Sequence, residues 1–418
     1  LILKTNNMFE GMFGEGIRYW GPDPGDTEGT LQTSNTQRIR LTTSNTATYS
    51  IDFGQNQLRA LVGQEAMTYN YQYIYAYSPS VDANIPYLST GVSASDEVSD
   101  YKQEETLLSF FGNLDYNYDQ RYFLQASIRE DGSSLFGAQN KWGLFWSASG
   151  SWNITNEKWM KGTSGWLSLL KMRLSYGVNG NNNIAPYRAY GVYGSATVNG
   201  AVGFLPSTPS NPSLTWETNK TWDAGLDFGF FDNRLSGSLD VYSRITEDML
   251  LSKQVPYTTG FGSNFMNIGA LSNKGVEFQI DGDVISTSDF VWTLGGNIAF
   301  NRSKVLDLAG SEFLTAGDSR ANSNSDTPVR IVEGMSLYNF YLRDWYGVNP
   351  STGDGLWWTE DGKLTSDRGK ARYIYCGSPE PKATGGLNTS LSWKGFDFSM
   401  VWQGTVGNDI YDAHGSFV

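Results

Sequence analysis

Residues Gly385 to Gly404 read GGLNTSLSWKGFDFSMVWQG, and the alternation in this stretch restricts the possible folds more than any other feature of the chain. Leu387, Thr389, Leu391 and Trp393 share one face of an extended strand, against Asn388, Ser390, Ser392 and Lys394 on the other. After a tight turn at Lys394-Gly395, Phe396, Phe398, Met400 and Trp402 alternate with Asp397, Ser399, Val401 and Gln403. Side chains on a strand alternate with period two, so the segment is a hairpin with one apolar and one polar face. The apolar face ends in aromatics at the turn. An apolar band with aromatic edges, backed by a polar lumen, is the requirement of a membrane-spanning barrel.

The same pattern recurs along the chain. Thr48 to Asp52 leads into a turn at Gly54-Gln55-Asn56, and a strand follows from Gln57. Leu108–Tyr118 returns as Tyr122–Ile128, Trp216–Phe230 as Leu235–Val241, and Val276–Val284 as Phe290–Phe300. Each pair is joined by a few residues and flanked by alternating positions. In the strand from Trp142 to Ile154, Trp142, Leu144, Trp146, Ala148 and Trp152 oppose Gly143 and three serines; from Trp222 to Phe230, Leu226 and Phe228 oppose Asp223, Gly225 and Asp227. A face of Asp, Ser and Gly does not pack against a second sheet, which favours a wet barrel interior over a sandwich. The opposite ends of these hairpins, residues 79–103, 181–213, 249–263 and 303–337, are rich in Ser, Asn, Gly and Pro and read as long loops. Short turns on one rim and long loops on the other mark the periplasmic and extracellular ends of an outer-membrane barrel. About twelve strands of roughly ten or more residues are legible. Asn156 to Leu170 interrupts the short-turn rim and reads as a rim helix or a long turn.

Composition narrows the function classes. The chain has 418 residues, 47 of them Gly, and 14% aromatics, the profile of an all-β chain with many turns. No run of roughly 18 apolar residues is present, so no transmembrane helix is expected, and alternating strands give no such run. Acidic residues outnumber basic ones by 43 to 30, for a net charge of −13. That balance, without a basic stripe, argues against nucleic acid as a partner. The single cysteine, Cys376, excludes an internal disulfide within these residues, and the lone His414 gives it no obvious base. The first residues show no basic segment followed by an apolar one, so no secretory signal is legible, and Leu1 suggests a cut chain.

Several segments, in order, match one family. GSPEPKATGGLNTSLSWKGFDFSMVWQGTVGNDIYD, Gly377 to Asp412, resembles the late barrel signature of SusC/RagA-type TonB-dependent transporters of Bacteroidetes. EGMSLYNFYLRDWYGVNPSTGDGLWW, Glu333 to Trp358, is similar to the loop that precedes it, and IREDGSSLFGAQNKWGLFWSASGSWNITNEKWM, Ile128 to Met160, to the mid-barrel block. NPSLTWETNKTWDAGLDFGFFDNRLSGSLDVYSRITEDMLL and NIGALSNKGVEFQIDGDVI match as well. The resemblance implies an all-β fold: an antiparallel transmembrane β-barrel, here the middle and later part of one that holds about 22 strands when complete. Residues 1–418 are then part of one barrel domain, with the plug domain and the N-terminal extension outside this sequence. The resemblance further implies a non-enzyme in the bacterial outer membrane that imports a nutrient such as an oligosaccharide or peptide. A SusD-like surface lipoprotein is the implied lid, the TonB–ExbB–ExbD complex the implied energy source through segments not present here, and outer-membrane lipid the surroundings. The alternative class is an all-β surface adhesin or glycan-binding protein without transport.

Candidate sites are few. Tyr69, Tyr71, Tyr73, Tyr75 and Tyr77 lie on one face of a strand, either as cross-strand packing or an aromatic girdle, or as a stacking surface for sugar rings and apolar side chains. Trp357 and Trp358, with Trp345 and Tyr346, lie in an outer loop and fit ligand contact, lid contact or loop packing. Asp23, Asp26 and Glu28 form a loop carboxylate cluster whose oxygens could serve Ca²⁺, but the full EF-hand pattern is missing and no metal site is assigned to it. Asp223 and Asp227 have the separation of residues on one wet wall rather than of a glycosidase pair. No phosphate-binding loop or zinc-hydrolase motif occurs, and no catalytic residue, cofactor or metal is expected.

Overall fold

A computed structural model of the chain describes residues 1–21, 28–91, 96–198, 201–316 and 329–412. Thirteen strands form one wall: β1 (Ile2–Trp20), β2 (Glu28–Phe53), β3 (Asn56–Asp82), β4 (Glu97–Tyr118), β5 (Tyr122–Ser133), β6 (Trp142–Asn153) and β7 (Leu167–Asn181). They continue as β8 (Glu217–Phe230), β9 (Leu235–Glu247), β10 (Ala270–Ser286), β11 (Phe290–Asp307), β12 (Ala383–Trp393) and β13 (Phe396–Val406). Spatial order follows chain order, and each strand is antiparallel to the next. The chain is therefore a continuous meander, one strand more than the roughly twelve legible in sequence. Strands not named from the sequence are β1, a 19-residue element whose side chains are almost all exposed, and β7.

Connections alternate in length as the sequence led us to expect. The short rim carries Gly54-Gln55, residues 119–121, 231–234 and 287–289, and Lys394-Gly395. Both residues of the last turn are left-handed, Lys394 with φ 47° and Gly395 with φ 91°, which matches the right-handed twist of a tight hairpin. The longer connection on this rim, residues 154–166, is helical in part, within the expectation of a rim helix or a long turn. It is two 3₁₀ segments, Ile154–Asn156 and Lys158–Thr163.

The loop rim differs from the expected boundaries. β3 runs to Asp82 and β4 begins at Glu97, so much of the region 79–103 is strand. β11 reaches Asp307, and the next wall strand starts only at Ala383. Between them lie small sheets, one of them Trp345–Val348, Gly355–Trp358 and Leu364–Thr365. Hairpins Val192–Val198/Ala201–Thr208 and Leu250–Gln254/Ser263–Asn267 occupy two further loops. A buried cluster of Leu135, Phe136, Phe145, Ile184, Ala189, Leu214 and Trp216 ties two loops to the upper end of β6. Within it Trp216 packs 5.3 Å from both Phe136 and Phe145, and its indole N–H donates to the Lys141 carbonyl.

Register fixes the two faces of the wall. Trp152 pairs with Met172, Met172 with Leu226, Leu226 with Leu239, and Leu239 with Phe278. Farther along, Trp292 pairs with Leu391 and Leu391 with Phe398. These residues form one unbroken apolar surface with Trp146, which suits hydrocarbon and not water. Most of the large side chains on it are exposed, including Leu124, Ile128, Leu144 and Leu174. Among the described residues β1 and β13 do not pair with each other, so each presents a free edge.

Candidate functional site

The other face of the wall is polar, aromatic and charged. On it Arg129 donates from Nε to Asp131 at 2.7 Å and from Nη2 to Glu65 at 3.1 Å and to the Ser109 hydroxyl at 2.8 Å. Arg173 forms a two-pronged pair with Asp227, both bonds 2.9 Å, and reaches across β8 to Asp240 at 2.7 Å. The strand between must carry no side chain there. Gly225 sits opposite Asp240 and Arg173 in register, and a Cβ would collide with both groups. These bonds employ Asp227 in the wall, which agrees with the reading of Asp223 and Asp227 as wall rather than as a paired acid and nucleophile.

Near the short rim this face is concave. A groove of about 620 Å³ is lined by Asp52, Arg59, Asp115, Gln125, Ser149 and Asp223, among others. It spans β2 to β8 and contains both signs of charge.

The tyrosine row is on the same face. β3 has no register break against β4, so Tyr69 through Tyr77 continue the parity of Gln57, Arg59 and Glu65. A girdle would require them on the face of Leu58, Ala60 and Val62. All five rings are half-buried. Arg40 lies over Tyr69 and Arg38 over Tyr71, each 5.4 Å from the ring centre. Tyr73 and Tyr75 stack at 6.4 Å, and Tyr101 of β4 packs 5.3 Å from Tyr71. Sequence reasoning found the row but missed Arg38, Arg40 and Tyr101. Arg38 and Arg40 share a period of two, and their register with Tyr71 and Tyr69 is a tertiary fact.

Height along the wall follows from strand geometry. Tyr69 is thirteen residues beyond Asn56, so at about 3.3 Å per residue and a tilt of about 40° it stands roughly 33 Å above the short rim. An apolar band is about 25 Å tall, so the row begins beyond it. The opposite face of β3 agrees: Thr68, Asn70 and Gln72 replace Ala60 and Val62.

Trp357 and Trp358 belong to the small loop sheet. Trp357 packs edge-on against Trp345 at 5.2 Å, and Trp358 against Tyr346 at 5.3 Å. Backbone bonds from Trp358 to Asp344, and the Arg372–Asp344 pair at 2.6 Å, fix this unit. The indoles are thus parts of a packed loop carried between β11 and β12, and the tyrosine row is on β3. Cys376 is exposed, 3.8 Å from the Phe340 carbonyl; His414 lies outside the described residues. Asp23 and Asp26 also lie outside them, and Glu28 accepts a hydrogen bond from Ser80. Among the described residues no group of three metal-ligating side chains converges.

Residues 6–407 match the family described as TonB dependent receptor-like, beta-barrel. The TonB-dependent receptor SusC of Bacteroides thetaiotaomicron is 35% identical over 332 residues, covering 75% of this chain and 32% of that relative. TonB-dependent receptor P3 of Formosa agariphila is 31% identical over 407 residues, covering 92% of this chain and 40% of the relative. Among solved structures, the RagAB peptide transporter matches with a TM-score of 0.85 and 28% identity, over 97% of this chain and 46% of that one. The chain thus spans less than half the length of each of these three. With the meander, the split faces, the unequal rims and a match across nearly all its residues, the chain belongs to the TonB-dependent receptor β-barrel family of the bacterial outer membrane, in its SusC/RagA branch.

Proposed function

We propose that this chain is part of the wall of an active importer that takes up an oligosaccharide or peptide, and that the tyrosine row of β3 is part of its capture surface. The observation that carries the reading is the placement of Tyr69–Tyr77 on the lumen face, above the apolar band and beside Arg38 and Arg40. Aromatic faces stack on sugar rings and apolar side chains, and the two guanidinium groups add charge for a peptide or an acidic sugar. The row runs about 26 Å along the strand, long enough for several units of a chain-like ligand.

The free edges of β1 and β13 fit a wall that closes with further strands into about 22, a size that holds a plug. Residues 1–418 are on this reading one stretch of a single barrel domain. Energy then comes from the TonB–ExbB–ExbD complex through segments outside this chain. A SusD-like lipoprotein covers the extracellular rim. From Ala189 to Trp216 that rim has no charged residue, and Tyr193, Val202, Phe204 and Leu205 are exposed, a surface suited to a protein lid. Trp357 and Trp358 are secondary candidates for ligand or lid contact. No observation favours an adhesin without transport.

The test is ligand affinity, and growth on the cognate glycan or peptide, in the full-length transporter with surface expression checked in parallel. Stacking contributes on the order of 0.5–1.5 kcal/mol per aromatic contact, so Tyr71→Ala alone weakens capture a few-fold. Replacing all five tyrosines weakens it strongly, while Ile74→Ala on the opposite face leaves it unchanged. A normally expressed five-alanine variant with unchanged affinity and growth overturns the assignment.

A further inference from the structure

The connection between β6 and β7 has an orientation that the import reading does not use. Glu157 is buried, and its carboxylate accepts from the Tyr122 hydroxyl at 2.5 Å, the Trp152 indole at 3.0 Å and the Arg121 guanidinium at 3.0 Å. Tyr122 and Trp152 are register partners on the lipid-facing side of the wall. At the far end of the connection Trp166 stacks on Phe230, 6.0 Å apart and nearly parallel, and Phe230 belongs to the same apolar face. Both ends therefore bend outward, over the lipid side, at the periplasmic edge of the band. The Asn156 amide also donates to the Gln120 carbonyl at 2.8 Å, fastening the fold-over to the neighbouring turn.

We infer that this foot, residues 154–166, docks on the phosphate headgroups of anionic lipid in the periplasmic leaflet. Its charge is suited to that. Arg121 is shared by Glu157 and Asp119, each 3.0 Å away, and residues 158–166, KWMKGTSGW, add two lysines and no acid, which leaves the foot net positive. Lys158 and Lys161 are exposed, and Trp159 is 66% exposed beside them. An indole favours the headgroup level of a bilayer, and lysines at that level pair with lipid phosphate. The foot is also continuous with a face that already meets lipid. A soluble periplasmic partner would have to reach it through the headgroup layer.

The experiment uses the full-length transporter in nanodiscs, with Cys376→Ser and a fluorophore on Gly162→Cys, a position with open space around it. Nitroxide carried on the headgroup of phosphatidylglycerol is compared with the same label on phosphatidylethanolamine. The phosphatidylglycerol probe quenches more strongly, and raising salt removes the difference. Lys158→Gln lowers the preference about fivefold, and the double variant with Lys161→Gln more than tenfold. Melting temperature does not change, since both side chains are exposed. Equal quenching by the two lipids in the unaltered foot overturns the inference. So does a preference that survives both lysine substitutions, or quenching by aqueous iodide that exceeds quenching by either lipid.

Discussion

Replacing Leu226 with Arg tests the assignment of faces most directly. Leu226 lies between Met172 and Leu239 in register on the apolar face. It is four residues from Phe230, which stacks on Trp166, and four from Trp222 at the next aromatic level. The eight residues from Phe230 to Trp222 span about 26 Å along β8, or roughly 20 Å of height at a 40° tilt. Leu226 is then about 10 Å from either level, close to the midplane of the band. Arginine there costs about 2–4 kcal/mol in outer-membrane barrels. The matched control is Ser238→Arg, because Ser238 pairs with Asp227 at the same depth on the lumen face. An arginine at 238 enters a wall that already holds Asp227, Asp240 and Asp281, and its cost is within about 1 kcal/mol. The assay is refolding into bilayers of the full-length protein, followed by denaturant titration. Leu226→Arg lowers stability by the full amount and reduces membrane insertion, and Ser238→Arg does neither. Equal losses for the two variants would refute the assignment of faces.

Two further outcomes follow from the same geometry. In a Cys376→Ser background, cysteines at Asn56, Gln120, Asn233, Ser288 or Gly395 resist a membrane-impermeant reagent on intact cells. Cysteines at Val202 or Tyr257, which is 87% exposed on the loop rim, react; the reverse pattern overturns the topology. Gly225→Leu displaces Arg173 from Asp227 and Asp240 and costs about 1–3 kcal/mol by overpacking, read as a lower melting temperature. Gly162→Leu, with open space around it, leaves melting unchanged.

The legible parts of the fold were those where lipid imposes a pattern. From β4 through β13, one face meets hydrocarbon and the other water, so apolar and polar residues alternate, and Trp146, Leu226, Leu391 and Phe398 declare their side. Turn residues mark the short rim for the same local reason: Lys394-Gly395 and Asp232-Asn233 suit left-handed backbone. Above the band both faces are wet and the apolar–polar contrast between them fades, although the tyrosines of β3 keep a period of two. Residues 78–82 of β3 and the Thr- and Asn-rich length of β2 continue as strand because their backbone groups pair with neighbours, not because of a pattern in the sequence. That is why residues 79–103 read as loop.

The site divides in the same way. The sequence alone determined that five tyrosines share one face of a strand, because alternation is a property of the strand itself. Which face that is, and how far above the band it stands, depended on continuous register from Arg59 to Tyr77 and on pairing with β2 and β4. The partners Arg38, Arg40 and Tyr101 are distant in sequence and meet the row only across strands. The outward fold of residues 154–166 was likewise invisible. It rests on Glu157 meeting Tyr122 and Arg121, 35 and 36 residues away, a contact that only the pairing of β5 with β6 creates. Local chemistry set the strands and turns. The register between strands decided which side chains share the lumen, and which meet lipid.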